Sequence, residues 1–106
     1  MYQIFGIDNC DKCRRARGFF SERAQFYDIR KTPLSDETIE FFCSKLGELI
    51  INKRSKTWLS ITAEDRKQDV VELLKRFPLL MKRPLIRYKS QVTVGWNEQL
   101  KECFDF

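Results

Sequence analysis

Cys10 and Cys13 stand in the segment Asn9-Cys10-Asp11-Lys12-Cys13-Arg14-Arg15-Ala16-Arg17, and a Cys-x-x-Cys pair flanked by cations is open to three kinds of chemistry. It can clip a metal, close a structural disulfide, or exchange electrons with another thiol. A structural zinc site takes about four ligands. The chain has no histidine, and neither of its other cysteines, Cys43 and Cys103, belongs to a second such pair. One chain therefore offers no complete ligand set, and a metal shared between two copies is motivated by nothing else in the sequence. A structural disulfide across so short a loop would stabilise little, and it would be reduced wherever thiols are kept reduced. That leaves the redox pair. Cys10 would end a strand-to-helix turn, where unpaired backbone N–H groups and the helix dipole favour a thiolate. Arg14 comes one turn later, and Arg15 and Arg17 add positive potential. Such surroundings lower a cysteine pKa from about 8.5 into the range of roughly 3.5–7.5. Cys13 would lie on the same helical face and could resolve a mixed disulfide on Cys10. Because it shares that face with Ala16 and Phe20, its other reading is a packing residue.

The elements that must position this pair follow from periodicity. Residues 2–7, Tyr-Gln-Ile-Phe-Gly-Ile, form a near-continuous apolar run, as expected of a buried strand. Cys13, Ala16 and Phe20 recur at helical spacing and predict a helix over about 11–23. Residues 25–29 read as a second strand, which makes a βαβ unit with parallel strands. Ser35 caps a helix carrying Ile39, Phe42, Cys43 and Leu46, with Gly47 as its stop. A further helix carries Val70, Val71, Leu73, Leu74 and Phe77 and stops at Pro78. The stretch between, Ile51 to Leu59, has no period and reads as a loop. Residues 84–88 and 91–95 alternate around Lys89-Ser90 as an antiparallel hairpin, and Asn97 caps a last helix with Leu100, Cys103 and Phe104 on one face. Cys43 and Cys103 sit on apolar stripes and read as core packing. The order is that of an α/β thioredoxin-like fold: βαβ, then ββα, in a mixed four-stranded sheet. It is expected as a single domain over 1–106 with a helical insertion at about 33–80.

Composition narrows the classes. A chain of 106 residues with 42% hydrophobic and 33% charged residues can bury one core without staples. No apolar run approaches the roughly 18 residues of a membrane span. The N-terminus lacks a basic flank followed by an apolar stretch, so a cytoplasmic location is expected, where four cysteines imply no disulfide framework. The net charge of +5 is spread along the chain among 15 acids, with small clusters at Arg14-Arg15, Lys53-Arg54-Ser55-Lys56 and Lys82-Arg83. That is a solvated surface rather than a nucleic-acid footprint, and no direct nucleic-acid partner is expected. No heptad or extended apolar face stands out, so a monomer is expected.

Gly6-Ile7-x-Asn9-Cys10-Asp11 followed by Arg14-Arg15-Ala16-Arg17 resembles the arsenate reductase (ArsC)/Spx family of thioredoxin-like proteins. The resemblance continues through Asp28-Ile29-Arg30-Lys31, Leu34-Ser35, Leu46-Gly47, Asn52 to Trp58, Pro78 to Pro84 and Val94 to Glu98, and so spans essentially the whole chain. It implies Cys10 as the nucleophile, with Cys13 as the resolving thiol. It implies Arg54 and Arg83 as donors to an anionic substrate, since guanidinium grips oxyanions and carboxylates bidentately. Asn9 and Arg14 are further substrate-binding candidates, and Pro84 is the candidate for the cis-proline such folds place opposite the active cysteine. The implied activity is a thiol-dependent reductase, glutathione-linked or arsenate reductase-like. It would bind no cofactor and would draw on glutathione or thioredoxin as reductant. Three features differ from arsenate reductases: the final hairpin, Val92 to Glu98, offers no arginine, Cys13 is present, and the chain stops at Phe106. The last of these resembles the short thiol reductase-like branch. The alternative is a redox regulator resembling Spx, binding the C-terminal domain of the RNA polymerase α subunit, with the Cys10–Cys13 disulfide as its switch. A catalytically silent binding module is the third reading.

Overall fold

In the computed structural model, which describes residues 1–104, the chain divides into two compact units. The first joins Met1–Ile29 to Arg83–Phe106, and the second is Arg30–Lys82. The last two residues of the expected 1–106 domain lie outside the described residues. Among the described residues, no helix is long and apolar enough to cross a membrane.

The first unit begins with strand β1 (Tyr2–Gly6), helix α1 (Asp11–Phe20) and strand β2 (Ala24–Asp28). The other chain segment of this unit supplies strands β3 (Leu85–Tyr88) and β4 (Gln91–Val94) and a single helical turn, Glu98–Lys101. The sheet order is β2-β1-β3-β4. β1 and β2 run parallel, as a strand–helix–strand connection requires, while β1–β3 and β3–β4 are antiparallel. Ile4 pairs with Ile86, and both pack with Ala16, Phe20 and Trp96 into one buried cluster. Its rings interlock, with Tyr2 4.8 Å and Phe104 4.9 Å from Phe20 between ring centroids. The apolar spacing of α1 thus becomes a buried stripe, since Cys13, Ala16 and Phe20 are all fully buried.

The second unit holds helix α2 (Asp36–Leu46), the short helices α3 (Lys56–Ser60) and α4 (Ala63–Arg66), and helix α5 (Val70–Arg76). The turn at Glu98–Lys101 in the first unit is accordingly α6. Ile39 and Phe42 of α2, Leu73 and Leu74 of α5, and Ile50, Ile51, Leu80 and Met81 form this unit's buried set. An isolated bridge between Ile51 and Met81, with Asn52 N–H donating to Leu80 O at 2.7 Å, ties the segment after α2 to the last residues of the unit.

Three sequence expectations need correction. The stretch read as a loop contains α3, started by Ser55, whose hydroxyl accepts from Trp58 N–H at 3.1 Å. A helix of one turn needs a cap but presents no apolar period, so periodicity misses it. Cys103 is exposed, because α6 ends at Lys101 and the face expected to carry Cys103 is never completed. Cys43 is half-buried rather than a core residue. Caps were the more reliable guide: Ser35 accepts from Thr38 N–H, Asn97 accepts from Leu100 N–H at 2.8 Å, and Gly47 ends α2.

Candidate active site

β1 runs out at Gly6, and residues 7–9 turn the chain into α1. Two contacts hold that turn to the end of β2. Gly6 pairs with Asp28 in the parallel ladder, and Ile29 N–H donates to Gly6 O at 2.9 Å. The buried Asp28 carboxylate then accepts from Asp8 N–H at 3.1 Å. Periodicity gave no reason to single out this acid. Its position at the end of a strand parallel to β1, level with Gly6, is the signal that would have found it.

Cys10 is the N-cap of α1, with extended backbone angles, and its carbonyl accepts the first helical bond from Arg14 N–H at 2.9 Å. Its side chain is half-buried. Burial alone would raise its pKa. Against it act hydrogen bonds from the Cys13 backbone N–H and the Cys13 thiol, the Arg83 charge, and the Lys12 N–H. Together they outweigh burial and hold the Cys10 thiol below the ordinary range. Cys13 goes the other way. Full burial, and the thiol bond it gives to a neighbour that carries the charge, push it up to about 12, despite a hydrogen bond from Ile7 N–H and the attraction of Arg83.

The arginines take separate partners. Arg14 is ion-paired with Asp11, both on the exposed side of α1. Arg17 lies 3.6 Å from Asp8 and stacks over Phe26 at 4.1 Å. The cation that acts on both thiols is Arg83, half-buried just before β3, and the Arg83–Pro84 peptide bond is cis. Asn9 is exposed in the turn before Cys10. The first unit therefore brings Cys10, Cys13 and Arg83 together. Arg54 belongs to the second unit, exposed in the loop before α3, with its N–H bonded to Asn52 Oδ1 at 3.0 Å.

A mixed four-stranded sheet with a cysteine pair at the end of its first strand defines a thioredoxin-like α/β protein. The chain belongs to the ArsC family, whose model matches residues 5–103. It is 32% identical to the global transcriptional regulator Spx of Streptococcus pyogenes, over 98% of this chain and 84% of that protein. Among solved structures it resembles an arsenate reductase (ArsC) related protein from Brucella melitensis, with a TM-score of 0.75 and 26% identity over 97% of this chain and 92% of the other. It shares its fold with a protein called YffB, with a TM-score of 0.87, 22% identity and 97% coverage of both chains.

Proposed function

We propose that this protein is a thiol-dependent reductase of the ArsC family, with Cys10 as nucleophile and Cys13 as resolving thiol. The observation that carries this reading is the opposed pair: two hydrogen-bonded thiols, one held below the ordinary range and its neighbour pushed up to about 12. The lowered pKa raises the share of Cys10 present as thiolate at a given pH, and the thiolate is the attacking form. Cys13 keeps its proton until it is needed.

The chemistry is two successive exchanges. Cys10 thiolate attacks one sulfur of a substrate disulfide. A Cys10–substrate S–S bond forms, the substrate S–S bond breaks, and the departing sulfur leaves as a thiolate. Cys13 then loses its proton, attacks Cys10 Sγ and releases the second substrate sulfur, which takes up a proton. The substrate has gained two electrons and the enzyme holds a Cys10–Cys13 disulfide. Glutathione or thioredoxin, as dithiol or paired thiols, returns it to the reduced state, so the reading belongs to a reducing cytoplasm. Arg83 steadies the Cys10 thiolate and offers a forked donor to an anionic substrate.

The test is NADPH consumption coupled through glutathione and glutathione reductase, with arsenate and a glutathione mixed disulfide offered separately. Cys10→Ser is expected to abolish turnover, and Cys13→Ser to shift dependence towards free glutathione. Unchanged turnover in Cys10→Ser sinks the reading.

The likeness to Spx favours a second reading: a redox regulator in which the same disulfide switches binding to the RNA polymerase α C-terminal domain. Capture of that domain by the oxidised protein alone, with no turnover in the coupled assay, would favour the regulator.

A further inference from the structure

Gly6 is buried at the end of β1, and its φ is not among the positive ones, so backbone freedom does not explain why it is glycine. Space does. A Cβ built on Gly6 would overlap Cys13 Sγ. Its next neighbours, Cys13 Cβ at 3.5 Å and Phe26 Cε1 at 3.6 Å, stand at ordinary van der Waals distance. One atom alone requires the missing side chain, and that atom is the resolving sulfur. The following residue completes the seat, because Ile7 N–H donates to the same sulfur. Cys13 in turn is fully buried.

We infer that Gly6 is a positioning residue for the redox pair: its bare backbone forms the seat of the Cys13 sulfur, keeps that sulfur out of reach of external disulfides, and aims it at Cys10. This inference rests on reading Cys10 and Cys13 as a redox pair. It adds a directionality to that reading. With Cys13 seated behind Cys10, a substrate can engage only Cys10, and Cys13 is reached only through the mixed disulfide. A methyl group at position 6 displaces the sulfur, breaks its bond from Ile7 and withdraws the thiol donor from Cys10. Arg83 and the Cys13 and Lys12 N–H groups remain to face Cys10.

The test compares wild type, Gly6→Ala, Cys13→Ala and the double variant. The rate of iodoacetamide alkylation is followed against pH, and mass spectrometry of peptides assigns each modified cysteine. Gly6→Ala is expected to slow Cys10 alkylation at mildly acidic pH several-fold and to open Cys13 to the reagent. In the Cys13→Ala background the same substitution is expected to change nothing, since the Cβ–Cβ separation is an ordinary contact. Should Gly6→Ala fail to fold while the double variant folds, the sulfur-specific seat is upheld by that rescue. A double variant that also fails to fold, or a Gly6→Ala protein with unchanged Cys10 alkylation and a still-protected Cys13, overturns it. Failure of the redox reading looks different: wild-type Cys10 would react as an ordinary thiol, while Cys13 exposure in Gly6→Ala would still judge the seat.

Discussion

At the scale of single residues, the two thiols titrate in opposite directions, and each direction has a measurable consequence. A depressed Cys10 pKa leaves the nucleophile ionised below the ordinary thiol value of about 8.5. Its alkylation should therefore fall off at lower pH than in a variant that lacks the contacts lowering it, such as Arg83→Ala. Cys13 bears on stability. Raised to about 12 in the folded protein, it keeps its proton where the unfolded chain has lost one. Stability is then fully present below the unfolded value and falls as pH rises from about 8.5 towards 12, by up to ~1.4 kcal/mol per pH unit. Urea denaturation across pH 8–10 should show a shallower decline for Cys13→Ala than for wild type. Equal slopes would mean that the buried sulfur does not carry this linkage. The pair itself was legible in the sequence. The seat was not, because Gly6 owes its identity to a sulfur met only once α1 folds back on β1.

At the scale of elements, caps and stops decided more than propensity. α1 and α2 end in nearly the same backbone: Ser21 at φ 52°, ψ −129° and Gly47 at φ 56°, ψ −138°, each N–H bonding back to a carbonyl four residues earlier. Glycine adopts that region freely and serine does not. Ser21→Gly should accordingly stabilise the protein by about 1 kcal/mol. Gly47→Ala, with nothing within 4 Å of its new Cβ, should destabilise it by about 1 kcal/mol through the backbone alone. Urea midpoints at constant m-value would read both, and a neutral Ser21→Gly would remove the strain argument. In β4, the Thr93 hydroxyl is buried and, among the described residues, has no hydrogen-bond partner. Thr93→Val replaces it with a methyl of similar shape in a strand that favours β-branching. We expect a gain of about 1 kcal/mol, visible as a raised Tm. Sequence reading found the helices that begin with a cap and carry a stripe, as at Ser35. It missed α3 and α4, each a cap and one turn with too few residues to show a period. It also overextended α6, whose apolar residues at 103 and 104 continue the spacing but not the helix.

At the scale of the whole molecule, the sheet of the first unit is built from both ends of the chain, β1 pairing with β3 across the intervening second unit. Order of elements is legible in sequence, but adjacency of this kind is not, and it decides which cation matters. Sequence proximity pointed to Arg14, Arg15 and Arg17. The fold gives Arg14 to Asp11 and Arg17 to Asp8, and brings Arg83 from the far side of the sequence to the thiols. Two arginines implied by family resemblance can then be separated by what each should change. Arg83→Ala removes a charge that holds the Cys10 pKa down, so Cys10 alkylation near neutral pH should slow several-fold. Arg83→Lys restores the charge without the forked donor geometry, so it should recover the alkylation profile while KM for an anionic disulfide stays raised. Arg54 belongs to the second unit. Arg54→Ala should leave alkylation untouched and, if it shares in binding anions, lower kcat/KM alone. An Arg83→Ala protein with the wild-type alkylation profile would show that the thiolate is stabilised by its backbone and Cys13 donors without the arginine. A shifted profile in Arg54→Ala would return the second unit to the electrostatics of the thiol pair.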